Sequence, residues 1–238
     1  MHPTWVIAKR ELSAFFDSLI GYVVLVLFLL FSGLFTWLAG GDIFFRKQAD
    51  LLVFFEYAQI ILMFFIPAVT MRQIAEERRS GTIELLLTKA LSERQFVLGK
   101  FVASLIMVAV ALAFTLPYYV TVSYLGNIDH GGTLSGYLGL LLLSGAFISI
   151  GLFASSITNN QIVAFLLGVS INVVFHLLFG FLAHFFTGLP AEIFSVLSSG
   201  NHFDSISRGV VDTKDLIYFA SVMLFFLFLA EWNVAKRK

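Results

Sequence analysis

Residues 101–125 read FVASLIMVAVALAFTLPYYVTVSYL, 25 consecutive positions without a charged side chain. A hydrocarbon core about 30 Å thick is crossed by roughly 20 helical residues rising 1.5 Å each, so this run has the length and apolarity of a transmembrane helix. Five more runs pass the same test: Leu19–Ala39, Leu51–Thr70, Leu134–Phe153, Ile162–Phe186 and Leu216–Trp232. The six runs hold 128 of the 238 residues but only two of the 30 charged side chains, Glu56 and Glu231. The chain therefore reads as an all-α integral membrane protein, one domain over 1–238 with six transmembrane helices. Gly126, Asn127, Asp129, Gly131 and Gly132 mark the turn between spans three and four, and Pro67 and Pro117 are expected to kink spans two and three.

Composition agrees with this reading. Charged residues make up 13% of the chain, about half the share typical of a soluble domain, and mean hydropathy is +0.92. The 59% hydrophobic content excludes intrinsic disorder. With no cysteine, a disulfide scaffold, a thiol nucleophile and a Cys-ligated metal are excluded as well.

Charge placement sets orientation. With both termini on the cytoplasmic side, cytoplasmic segments hold 11 basic residues and external loops four (Arg46, Lys47, Arg208 and Lys214), as the positive-inside rule requires. Ahead of span one, residues 1–18 place Trp5, Ala8, Leu12, Phe15 and Phe16 at helical spacing. This pattern predicts an amphipathic helix on the membrane surface, with Trp5 at headgroup level and Lys9 and Arg10 facing anionic lipid.

The longest hydrophilic stretch, residues 71–100, reads MRQIAEERRSGTIELLLTKALSERQFVLGK. Ile74, Ile83, Leu85, Leu86, Leu87, Leu91 and Phe96 interrupt its charges, an apolar set that a plain connector would not need. Gly81 is expected to end one short helix, and Ser80 or Thr82 to cap the next, with Glu84 in its first turn. Ser92 and Gln95 fit a capping box that starts a helix running into span three. Such an element can push on, or be pushed by, a cytoplasmic partner. A basic loop that merely fixes topology would carry the same charges.

This string resembles the signature loop of type-2 ABC-exporter permeases, an Arg-x-Ile-Ala-x-Glu-x-x-x-Gly-Thr-x-Glu-Leu-Leu pattern followed by Gly-Lys entering the next helix. His202–Leu229, HFDSISRGVVDTKDLIYFASVMLFFLFL, is similar to permeases associated with gliding motility and with copper-site maturation of nitrous oxide reductase. The resemblance implies a permease of the bacterial inner membrane. This chain and a second copy, or a related permease, would form a dimer that docks two ABC ATPase subunits. ATP and magnesium would be bound by the ATPases, with no cofactor on this chain and no nucleic-acid partner. It also implies that Glu76, Glu77, Arg78, Gly81, Thr82, Glu84 and Leu85 lie in a coupling helix seated on the ATPase. Residues 1–18 would be an elbow helix, Ser155–Gln161 a second and smaller contact on the same side, and residues 187–215 an external re-entrant cap. At 89–91, Lys-Ala-Leu stands where many relatives have a proline.

The chain has no nucleotide site of its own. A P-loop needs G-x-x-x-x-G-K-[ST], whereas Gly99-Lys100 is followed by Phe101 and Arg94 stands in place of the first glycine. No enzymatic role follows either, because a Gly-x-Ser-Gly nucleophile and a His-Glu-x-x-His metal motif are both missing. An ATP-independent secondary transporter or channel is the main alternative, but the long loop after span two has no counterpart in the second half, as an inverted repeat would require.

Polar residues at membrane depth are candidate pathway residues. They are Glu56 and Gln59 in span two, and Asn172 and His176, four apart on one face of span five, with His184 about two turns further in line. Each has an alternative role in hydrogen bonding to a neighbouring helix. Glu231, beside Trp232 near the end of span six, fits a snorkelling interfacial carboxylate.

Overall fold

A computed structural model describes residues 3–38, 48–82 and 92–236. Among them there is no strand. The helices in chain order are α1 (Pro3–Phe16), α2 (Leu19–Trp37), α3 (Leu52–Thr70), α4 (Ala75–Arg79), α5 (Glu93–Ala113), α6 (Leu116–Leu125), α7 (His130–Ile157), α8 (Gln161–Val173), α9 (Phe179–Phe185), α10 (Leu189–Leu197), α11 (Ser199–Ser207) and α12 (Thr213–Lys236). Five helical stretches are long and apolar enough to cross a membrane: Leu52–Arg79, Glu93–Leu125, His130–Ile157, Gln161–Phe185 and Thr213–Lys236. A sixth forms if α1 and α2, bent by 73° to each other, count as one broken span. Glu84, Leu85, Lys89 and the pair expected in an external loop, Arg46 and Lys47, lie outside the described residues.

The helix starts are fixed by side chains that accept otherwise orphaned N–H groups. Ser18 accepts from Gly21 at 3.2 Å, Asp129 from Gly132 at 3.0 Å and Asn160 from Ile162 at 2.9 Å. The capping box is present: Ser92 Oγ accepts from the Gln95 N–H and Gln95 Oε1 from the Ser92 N–H, both at 3.2 Å. Because Asp129 caps α7, Gly131 and Gly132 fall inside its first turn, and the turn between spans three and four is shorter than the glycines implied.

Helix α7 is the centre of the bundle, packed against α3, α5, α8, α11 and α12. Its sequence explains this position. Small residues along α7 let neighbours approach closely, as in other membrane bundles: a Cβ at Gly136 would collide with the Phe55 ring, and one at Gly151 with Thr70. The aromatic residues Phe54, Phe55, Tyr118 and Tyr137 interlock beside it.

Two spans are less regular than their composition implies. Span three breaks at Phe114–Thr115, and Pro117 sits in the first turn of α6 instead of kinking a continuous helix. Proline has no N–H to offer the Ala113 carbonyl; Thr115 covers the break by donating to the Leu112 carbonyl at 2.6 Å and pairing with the Tyr137 hydroxyl at 3.1 Å. Span five contains a π-helical turn over Val174–Leu178. That turn inserts a residue and shifts the helical phase by about 100°, so Asn172 and His176 are buried while His184 is exposed and out of line with them.

Candidate functional site

The hydrophilic loop begins as a structured element. Five-residue α4 follows α3 almost directly and is held by contacts from five other helices. At its start, Ser155 Oγ, from the end of α7, accepts from the N–H groups of Ile74 and Ala75 at 3.1 and 3.0 Å and donates to the Met71 carbonyl at 2.9 Å. One hydroxyl thus supplies the cap that the α4 sequence lacks. On the next face, Arg78 donates to the carbonyls of Ser156 and, at 3.4 Å, Asn233 near the end of α12, while Gln161 donates to the Glu76 carboxylate. The segment Ser155–Gln161 therefore lies directly against α4.

The opposite face of α4 enters a charge network. Lys100, with a side chain only 1% exposed, sits 3.1 Å from Glu11 of α1 and 3.1 Å from Glu77 of α4. Arg10 pairs with the same two carboxylates at 2.6 and 2.7 Å. The Lys100 ammonium also lies 4.9 Å from the centre of the Phe96 ring, a favourable cation–π placement. Burial opposes charge on Glu11, but Lys100 and Arg10 together outweigh it and hold its pKa below the ordinary carboxylate value. Arg72 completes the junction by donating to Ser18 Oγ at 3.2 Å over the Phe15 ring. These groups line an open cavity of about 440 Å³ between α1 and α4. Gly99 lets α1 reach α5, since a Cβ there would come within 2.7 Å of Ile7. The Gly99-Lys100 pair thus combines a close helix approach with the ion pair that fastens it.

Beyond α4 the chain turns outward. Gly81 has φ +71° with nothing near its missing Cβ, so the requirement for glycine is conformational. Ser80 and Thr82 donate back to the Glu76 and Glu77 carbonyls at 2.9 and 3.2 Å and so close the end of α4; the helix they were expected to cap lies outside the described residues. Arg79, Ser80, Gly81 and Thr82 are exposed, whereas Glu77 and Arg78 face the bundle.

The profile of the family described as "ABC-2 family transporter protein" matches residues 5–234. The chain belongs to the ABC-2 transporter family. It is accordingly a multi-pass membrane permease, the non-catalytic transmembrane part of an ABC transporter. No curated protein matches it.

In this ABC-2 permease the four candidate pathway residues have different surroundings. Asn172 is buried and donates to the Met63 carbonyl of α3 at 3.5 Å. Its side-chain oxygen and that of Gln59 are both buried without a hydrogen-bond partner, on helices that pack together. His176 pairs through Nδ1 with Ser199 Oγ of α11 at 3.1 Å. Glu56 is exposed and acts instead on Asp204 of α11, whose carboxyl is pushed up first by burial, with Arg208 opposing and the Glu56 charge adding. Arg10, expected to face lipid, also belongs to the ion-pair network, with its side chain still 47% exposed. Trp5 remains exposed.

Sequence reasoning overlooked two residues and one pair in the ABC-2 chain. Lys100 was signalled only by the Gly-Lys pattern and by its place about two turns into a helix that enters the membrane. Ser155 was marked only as the start of the expected second contact, with nothing to show that it would cap α4. His202 and Asp215 form a buried pair on the other side of the protein: Nδ1 is 2.6 Å from Asp215 Oδ1, Nε2 is 2.9 Å from the Val196 carbonyl, and the ring stacks on Tyr218. Both partners are acceptors, so both contacts are hydrogen bonds only when the pair carries a proton beyond those of a neutral imidazole and a carboxylate.

Proposed function

We propose that this chain is the permease subunit of an ATP-driven exporter in a bacterial inner membrane. Two copies, or this chain and a related permease, assemble with two cytoplasmic ABC ATPase subunits that bind ATP and magnesium. The exposed turn Arg79–Thr82 and the segment after it, including Glu84 and Leu85, seat on the ATPase. Glu76, Glu77 and Arg78 pass the displacement to the spans. Helix α1 acts as an elbow on the cytoplasmic surface, α10 and α11 act as an external cap in the outer leaflet, and both termini are cytoplasmic.

The observation that carries this reading is the fastening of α4. A helix of five residues has no stability of its own, yet this one is bonded to α1, α5, α7, α8 and α12. A force applied to it is therefore delivered to several spans at once.

The test is affinity purification of the tagged chain from its native membrane in mild detergent. Recovery of an ABC ATPase whose ATP hydrolysis the permease stimulates is the expected result, and Gly81→Val should abolish that stimulation while leaving membrane insertion intact. Reconstituted transport by the chain alone, with no ATPase recovered, would replace this reading with an ATP-independent transporter or channel.

A further inference from the structure

Between α5 and α12, at the end where α5 begins and α12 finishes, the helices part to leave a groove of about 400 Å³. Val97 and Leu98 form one wall, and Leu224, Leu227 and Phe228 the other. Leu224 and Phe228 are 70% and 64% exposed, on a helix apolar and long enough to cross a membrane, so the groove opens toward hydrocarbon. Two charged residues line it, Arg94 and Glu231. They have opposite charges, and among the described residues neither makes an ion pair or hydrogen bond, with the other or with any other group. Trp232, next in the chain, is exposed and carries the Lys236 ammonium 5.0 Å from its ring centre. Interfacial tryptophans of this kind sit at headgroup level, which puts Glu231 at the same depth.

Arg94 offers a planar set of donors matched to phosphate oxygens, and Glu231 accepts hydrogen bonds from a primary ammonium. Seven residues separate Leu224 from Glu231, about 10 Å along the helix. The apolar floor thus reaches well into one leaflet and can hold the upper part of an acyl chain. We propose that this groove binds one phospholipid with a primary-ammonium headgroup, its phosphate on Arg94 and its ammonium on Glu231. An anionic glycerol headgroup leaves Glu231 facing negative charge, and a quaternary choline has no N–H to donate. The site depends on the chain lying in a membrane and not on any ATPase.

The experiment is native mass spectrometry of the purified chain after incubation with equimolar phosphatidylethanolamine, phosphatidylcholine and phosphatidylglycerol of identical acyl composition. The wild-type chain retains one phosphatidylethanolamine with about tenfold preference, the scale of one charge-assisted hydrogen bond. Glu231→Gln loses the preference over phosphatidylcholine but still retains lipid, and Arg94→Gln loses retention of all three. Thermal melts of both variants match wild type, because neither side chain has a partner to lose. Equal retention of the three lipids by the wild-type chain, or an unchanged preference in Glu231→Gln, overturns the proposal. So does a dimer of the chain in place of the lipid adduct that Glu231→Gln disrupts, since the groove then belongs to a second copy.

Discussion

Lys100 Nζ and Glu11 Oε1, 89 residues apart in the chain, meet at 3.1 Å with the lysine side chain almost wholly removed from solvent. Removing Lys100 leaves Glu11 and Glu77 with only the half-exposed Arg10 as a cation, at a cost of up to about 3–5 kcal/mol. Lys100→Met is therefore expected to lower the thermal midpoint in detergent sharply. Glu11→Gln combined with Lys100→Met should recover part of the loss. An unchanged midpoint in the single variant would show that the network contributes nothing to folding.

The same pair makes stability depend on acid. Because the folded protein holds the Glu11 pKa below its ordinary value of 4.5, the unfolded chain takes up a proton there at higher pH than the folded one does. The contribution is complete above about pH 4.5 and lost as pH falls through the folded pKa. Between pH 5 and 3 the thermal midpoint of wild type should fall more steeply than that of Glu11→Gln. Parallel curves would remove Glu11 from the account.

Ser155→Ala deletes an acceptor for two N–H groups and a donor to one carbonyl in a single step. Local loosening worth about 1–3 kcal/mol is expected, concentrated at Ile74–Arg79. Hydrogen exchange in detergent should show faster exchange of the Ile74 and Ala75 amides, with α7 itself unaffected. Protection equal to wild type would mean that the hydroxyl is replaceable by water.

On the far side of the protein, His202→Ala leaves Asp215 buried at 1% exposure without its imidazole partner. A loss of about 3 kcal/mol or more is expected, with Asp215→Asn milder, because an amide can still donate to the ring. A double variant His202→Leu with Asp215→Leu should be more stable than His202→Ala. If the two single losses simply add, the residues do not act as a pair.

Much of the bundle was legible in the sequence because lipid imposes a simple requirement: spans must be long, apolar and internally hydrogen bonded. The six runs, the Ser92 capping box and the Gly81 break were all readable from local pattern. The break before Pro117 and the π turn at His176 were not, since both depend on what neighbouring helices can satisfy. The site divided along the same line. Residues 76–82 stood out as a charged cluster broken by glycine, but their partners come from α1, α5, α7, α8 and α12, and no local pattern announces that Lys100 will reach Glu77 or that Ser155 will cap α4. Glu56 drew notice as a charge within an apolar run, and the fold places it at an exposed position beside α11.

Helix α7 is gripped at two places by different parts of the chain. Ser155 bonds α4 at one end, and Gly139, about a third of the way in from the other, lies against Phe203 and Ile206 of α11. Its 28 residues make a rod about 42 Å long. A continuous helix is stiff along its axis, so a shift of an ångström or two imposed on its α4 end bears on the α11 packing as well. That makes α7 a mechanical link between the two regions.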